Sequence, residues 1–346
     1  MSNKITEKYF EHTNFSDHEK KVFDEITAKI HFQSEKEIFR GQIYDKDKVG
    51  SVIYKGIWQN KPAVLKIQVL RPDVDEIDMM GRFNNQNKSA KIRLPKLYNG
   101  SRWNKNDGYG YLLLEYVDAP QIYQPPFANQ EQIKDFCALY QEYKTTCLRA
   151  PFVEREPNEH SSLVFTAQRV LYWAKIAQTK GYLTEVEVKN VEQFLSLAGR
   201  HLPSIKMEFM HGHFTYNDIF KLSDQEYVLM SNLFWSYRPE FYDTTFHLWA
   251  GIKSLRDQSV SVEYVIEYLH NWLEEYKKLP IVMQDADFER KFNMMMAERC
   301  IGALLVDIQN QHYDSERSNF IASLTELFRD LFKHFADKLE KTKGES

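Results

Sequence analysis

The chain has 346 residues, 43% hydrophobic and 14% aromatic, which is enough apolar material for one bilobal domain or two tightly packed ones and too much for a disordered chain. Its 45 Lys and Arg against 49 Asp and Glu leave a formal net charge of −4, so nothing in the balance favours a nucleic-acid partner, while a small-molecule or protein ligand stays open. Cys137, Cys147 and Cys300 lack CxxC spacing, MSNKITEKYF lacks a signal-peptide apolar run, and no stretch is long and apolar enough to span a bilayer; these features read as a cytoplasmic protein with free thiols and no membrane partner.

In chain order, Ser16 followed by Glu19 has the form of a capping box, and Val22, Phe23, Ile26 and Ile30 recur at helical spacing. From about residue 35 to 118 the texture changes to β-branched and aromatic runs: EIFRGQIY, GSVIYKGIW, the turn QNKP, AVLKIQVL and YGYLLLEYV. These predict an antiparallel sheet. One helix interrupts it, where Ile77, Met80 and Phe83 recur every three residues before RLPKLY. The Pro-rich APQIYQPPF after Asp118 continues neither a strand nor a helix easily, which sets a boundary between residues 1–118 and 119–346. The second part reads as mainly helical, with stripes at Val262, Val265, Ile266, Leu269 and Leu273 and at Phe320, Leu324, Leu327, Leu331 and Phe335. Within it, IKMEFMHGH followed by IFKL, the turn SDQE and YVLM predicts a strand and a hairpin. Met294, Met295 and Met296 read as core filler.

A small sheet carrying one helix, then a hinge, then a helical lobe holding a loop and hairpin, is similar to the protein kinase-like fold. The motifs at the key points strengthen the likeness. GSVIYKGIWQNKPAVLKI resembles the glycine-rich loop and the two following strands of kinases, LLLEYVDA the hinge, HGHFTYNDIF the HGD-x-x-x-x-N-I segment, and EFYDTTF the Y-D motif of aminoglycoside and choline kinases. The likeness runs from about residue 41 to 250. It implies an α+β bilobal fold with a small antiparallel sheet lobe and a larger helical lobe, ATP and Mg²⁺ as cofactors, and phosphoryl transfer to a hydroxyl.

Carried over residue by residue, the resemblance makes Lys66 the phosphate-binding lysine. Glu76 is the leading candidate for its carboxylate partner, with Asp73, Asp75 and Asp78 also open. A nucleotide would lie between Val52, Val64, Glu115, Val117 and Phe220, beneath a loop that keeps only Gly50 of three template glycines and carries Asp45 and Asp47 at the other two positions. His213 stands where the family has the catalytic aspartate, and a histidine with an ordinary pKa of ~6.5 is still able to accept a proton. Asp218 replaces the metal-binding asparagine and is itself a good oxygen ligand. Ser231, thirteen residues on, occupies the position of the second metal-binding aspartate, where it brings no charge and weakens Mg²⁺ binding; neighbouring Asn232 is at best a neutral substitute. His211, Gly212 and Asp243 match the family and serve mainly architecture. His247 reads as a core or pocket-wall residue, and Phe234, Trp235, Tyr237, Phe241 and Tyr242 as cleft lining or packing.

Three functions follow. Change at several catalytic positions points to a pseudokinase or strongly impaired phosphotransferase that acts by binding. The alternative is an active divergent small-molecule kinase of the aminoglycoside or choline type, with His213 as base and Asp218 holding the metal. A metal-dependent hydrolase on an unrelated fold has only the H-x-H spacing behind it, and a transition-metal site of His211, His213 and Asp218 has acceptable ligand types, though the first histidine is already explained structurally.

Overall fold

The computed structural model describes residues 15–42, 49–72, 74–147, 151–255, 260–309 and 318–342. Asp45, Asp47 and Asp73 therefore lie outside the described residues.

Helix α1 (Phe15–Ile30) carries its apolar residues about one turn apart, and this stripe packs on the outer face of a five-stranded antiparallel sheet. The sheet is built of β1 (Gln33–Gln42), β2 (Val49–Trp58), β3 (Lys61–Gln68), β5 (Leu97–Asn104) and β6 (Tyr109–Glu115), in the order β1-β2-β3-β6-β5. Val22, Ile26 and Ile30 meet Val52, Ala63, Leu65, Ile67 and Leu113 there. Between β2 and β3 the two turn residues Gln59 and Asn60 have φ of 47° and 60°, the left-handed pair that lets a two-residue hairpin follow the twist of its strands. Glu19 does not close a capping box: α1 begins at Phe15, and the Glu19 carboxylate instead takes two hydrogen bonds from Arg40, at 2.6 and 3.0 Å, and one from Tyr54 at 2.9 Å. Strand β5 is one the apolar runs did not announce, because most of its residues are exposed.

The opposite face of the sheet takes helix α2 (Glu76–Gln86), whose Met79, Met80 and Phe83 join Leu112 and Leu114 in a core that continues into the helical lobe. The short β4 (Ile92–Arg93) pairs with none of these strands. It runs parallel to β9 (Glu226–Leu229), itself the hairpin partner of β8 (Ile219–Ser223). Just past β6, Gln121 bridges Phe220, Ile122 N–H donates to the Ile219 carbonyl at 2.9 Å, and Lys221 N–H to that of Pro120 at 2.8 Å. The connection between the lobes is thus tied directly to the β8–β9 hairpin.

The helical lobe comprises α3 (Gln130–Glu142), α4 (Ser162–Thr179), α5 (Glu185–His201), α6 (Tyr242–Lys253), α7 (Val262–Lys277), α8 (Phe288–Gly302) and α9 (Ser318–Lys341), with a two-stranded ribbon of β7 (Met207–Met210) and β10 (Ser236–Pro239). Helix α8 is buried on nearly every side from Lys291 to Gly302; Met294, Met295 and Met296 lie wholly inside, as their apolar run suggests. Leu324, Leu331 and Phe335 of α9 and Val265, Leu269 and Leu273 of α7 complete that core. Among the described residues no helix is long and apolar enough to cross a membrane.

Candidate functional site

Strand β3 alternates faces, and its register places Lys66 opposite Ile53 of β2 and Leu112 of β6, on the face turned toward α2 and the cleft. There its ammonium pairs with the Glu76 carboxylate, both side chains buried. Two competing acids fall away for physical reasons. Asp75 is the N-cap of α2, its carboxylate accepting from Ile77 N–H at 3.0 Å and Trp103 N–H at 2.8 Å. Asp78 points outward to Arg102, 2.6 Å away. Asp73 is outside the described residues. Glu76, first residue of the helix, is the one aimed into the interior. A buried pair like this is costly to break from one side, since the remaining charge is stranded.

The nucleotide-facing set differs in one place from the sequence expectation. Val52 pairs with Ile67, on the face away from Lys66, and is fully buried against α1; the β2 residue on the cleft face is the half-buried Ile53. Val64, two residues from Lys66, does share that face. Gly50 sits in β2 itself, its carbonyl accepting from Val69 and Leu70 N–H at 2.9 Å each. Val117 is buried and Phe220 half-buried. The Glu115 carboxylate is committed: it takes both terminal nitrogens of Arg93, at 2.7 and 3.0 Å, and the Lys96 N–H at 3.0 Å. Arg93 also holds Glu226 at 2.7 Å, clamping the end of β6 to the hairpin.

The segment 211–220 follows β7 and is shaped by close packing. Gly212 has φ of +72°, and a Cβ there would come within 2.5 Å of the Phe234 carbonyl, so only glycine lets this loop and the loop at 231–234 lie against each other. His211 is fully buried with its ring edge-on to Trp235, and burial drives its pKa down to about 4. The Asp243 carboxylate accepts from Tyr140 at 2.9 Å with Lys144 4.0 Å away; burial raises its pKa, opposed by that lysine. Both are interior supports of the loop. His247 is likewise core, its two ring nitrogens bonded to the hydroxyls of Tyr123 and Tyr276 at 3.0 and 2.7 Å.

At the centre of the site stand His213, Asp218 and Ser231. The His213 ring stacks on Phe234 at 3.7 Å, nearly parallel, and its Nδ1 is 3.7 Å from Asp218 Oδ2, too long for a hydrogen bond. Burial lowers its pKa and the Asp218 carboxylate opposes the shift, so the ring is mainly neutral at pH 7. Ser231 Oγ donates to Asp218 Oδ1 at 2.5 Å from a left-handed backbone, φ 58° and ψ 42°. Asn232 turns away: its amide nitrogen donates to the Leu229 carbonyl and its oxygen accepts from the Trp235 indole, each at 3.1 Å. The turn that follows is held against α2, with Trp235 5.2 Å from Phe83. His211, His213 and Asp218 do not converge, and among the described residues no three His, Cys, Asp or Glu side chains form a set able to hold a metal.

No protein-family model matches the sequence, and no curated protein does either. Solved structures do match in fold. Aminoglycoside phosphotransferase APH(4)-Ia superposes with a TM-score of 0.59 over 94% of this chain and 100% of its own, at 8% identity. Amicoumacin kinase hAmiN, solved with AMP-PNP, Ca²⁺ and Ami, gives 0.51 over 95% and 96% at 13% identity. A microcompartment-associated aminopropanol kinase gives 0.51 over 92% and 98% at 10% identity. The chain therefore has the mixed α+β, kinase-like fold of aminoglycoside phosphotransferases and related small-molecule kinases.

Proposed function

We propose that the protein is a pseudokinase, or a strongly impaired phosphotransferase, that acts by binding a nucleotide or another small ligand in the cleft between its lobes. The observation that carries this reading is the state of Asp218. Its carboxylate is the sole acidic group of the Asp218–Ser231 pair, one oxygen is engaged by the Ser231 hydroxyl, and Asn232 is spent on Leu229 and Trp235. Mg²⁺ in nucleotide sites is held by carboxylates and phosphates together and needs near-ideal octahedral geometry. A single carboxylate, hydrogen-bonded to a serine where the likeness expects a second aspartate, makes a weaker Mg²⁺ site than two carboxylates would, and no step through a metal is assigned.

The nucleotide side fits better. Lys66, held by Glu76 on the cleft face, supplies a positioned positive charge for a phosphate, and Val64 and Ile53 flank it on the same face. What is missing is the neutralisation and in-line positioning that make such binding catalytic. His213, stacked on Phe234, puts a neutral ring where an anionic base would stand.

A phosphotransfer assay with [γ-³²P]ATP over a panel of amines, sugars and aminoglycosides tests this. The expected outcome is no acceptor labelled above the level seen with Lys66→Ala. Labelling of any acceptor that depends on Lys66 and on Asp218 would instead establish an active divergent kinase.

A further inference from the structure

The His213 ring has a second aromatic neighbour, Phe246 of α6, at 4.6 Å. Phe246 opens a set of rings, with Trp249 at 5.1 Å and Tyr242 at 5.6 Å. Against these rings lies the guanidinium of Arg299 from α8, 5.0 Å from Trp173, 5.1 Å from Tyr242 and 5.4 Å from Trp249. Arg299 is only 4% exposed. Its Nε and Nη2 nonetheless donate to no protein atom among the described residues, although Glu298 Oε2 lies 3.5 Å from Nη2 and is also without a hydrogen bond. The other Glu298 oxygen is taken by Arg169.

Buried donors without acceptors are costly. These two are also a particular pair: Nε–H and Nη2–H project side by side, the edge by which a guanidinium grips a carboxylate or phosphate with two parallel hydrogen bonds. Stacking on aromatic rings fixes the plane of that edge in advance. Nearby, Lys253 at the end of α6 lies 4.3 Å over Trp249, and Asp307 is the acid that faces Lys253 and Arg299 electrostatically. His213, Lys253 and Asp307 are half-buried and mark where the cluster meets solvent.

We infer that this cluster recognises the oxyanion group, phosphate or carboxylate, of a small molecule, gripped by Nε and Nη2 of Arg299 with Lys253 at its mouth, beside His213. The site lies on the acceptor side of the cleft only if the binding reading above is right; the grip itself needs only Arg299 and Lys253. The cations Arg299, Arg169 and Lys253 outnumber the acids Glu298 and Asp307 in this cluster, which favours an anion over a polycationic acceptor.

Calorimetric titration of the full chain with glycerol 3-phosphate, gluconate and kanamycin, each with ATP as a parallel ligand, is the test. The phosphate and carboxylate probes distinguish the two oxyanion sources, and kanamycin is the cationic contrast. At least one oxyanion should bind and kanamycin should not. Its affinity should fall about tenfold or more in Arg299→Lys, which keeps charge but loses the two-pronged edge, and in Lys253→Met, while the neutral helix substitution Gly81→Ala leaves it unchanged. Should Arg299→Lys fail to fold, Lys253→Met carries the test alone. Loss of ATP binding with oxyanion binding intact would sink the nucleotide reading and leave this one standing. ATP binding with no oxyanion affinity sensitive to Arg299 or Lys253, or oxyanion affinity lost only in Lys66→Ala, would overturn it.

Discussion

Replacing Ser231 with aspartate puts a second carboxylate beside Asp218 and converts the Ser231–Asp218 hydrogen bond, 2.5 Å long, into a repulsion. Aspartate tolerates the left-handed backbone that Ser231 adopts, so the change is electrostatic before it is conformational. Two like charges about 4 Å apart at an effective dielectric of 20 repel by about 4 kcal/mol. Ser231 is half-buried and solvent screens part of this, so the expected loss of stability at pH 7 without metal is about 2–4 kcal/mol. The pH dependence has a fixed sign. Repulsion raises the folded-state pKa of one carboxylate above its unfolded value of ~3.9, so the penalty is full above the raised pKa and disappears as pH falls toward ~4. Added Mg²⁺ should reverse the loss in the variant alone; at a hundredfold excess over its Kd it returns about 2.7 kcal/mol. Urea denaturation of wild type and Ser231→Asp, at pH 7 and pH 4.5, with and without Mg²⁺, reads all four quantities. A variant as stable as wild type without metal, or a wild type stabilised by Mg²⁺ as much as the variant, would refute the reasoning.

Lys66→Ala strands the buried Glu76 carboxylate and should cost about 3–5 kcal/mol in chemical denaturation, most of it recovered in the double variant with Glu76→Gln. Gly212→Ala forces a Cβ to 2.5 Å from the Phe234 carbonyl at φ +72° and should cost about 2–4 kcal/mol, whereas Gly81→Ala, in a helix with nothing within 4 Å, should be neutral or stabilising by up to ~1 kcal/mol. His211 is neutral when buried, with a folded pKa of about 4 against ~6.5 unfolded, so its share of stability is complete above pH ~6.5 and declines by about 3 kcal/mol as pH falls to ~4; NMR titration of its ring checks this directly.

The order of elements was legible in the sequence because each lobe has its own pattern: β-branched and aromatic runs through β2, β3 and β6, helical stripes in α1, α7 and α9. Candidate positions came from the likeness to kinases, which put forward Lys66, His213, Asp218 and Ser231. What required coordinates was which way a side chain points. Val52 was assigned to the nucleotide by template spacing, but β2 carries register shifts against β1, and an offset of one residue moves a side chain to the other face. Glu76 led four candidate acids in the sequence, and the start of α2 removed two of its competitors by making Asp75 the cap and turning Asp78 to Arg102. Glu19 had the spacing of a capping box and instead bonds the sheet. Arg299 gave no signal at all: α8 is buried all round, so its polar residues fall outside any amphipathic pattern and look like surface charges.

The central claim, that the cleft accepts a nucleotide without a functioning metal site, is tested most directly by calorimetric titration of ATP in the presence and absence of Mg²⁺, wild type against Lys66→Ala. The account predicts binding that Mg²⁺ changes by no more than about threefold and that Lys66→Ala abolishes. Affinity that rises by about tenfold or more with Mg²⁺, accompanied by turnover lost in Asp218→Ala, would contradict it.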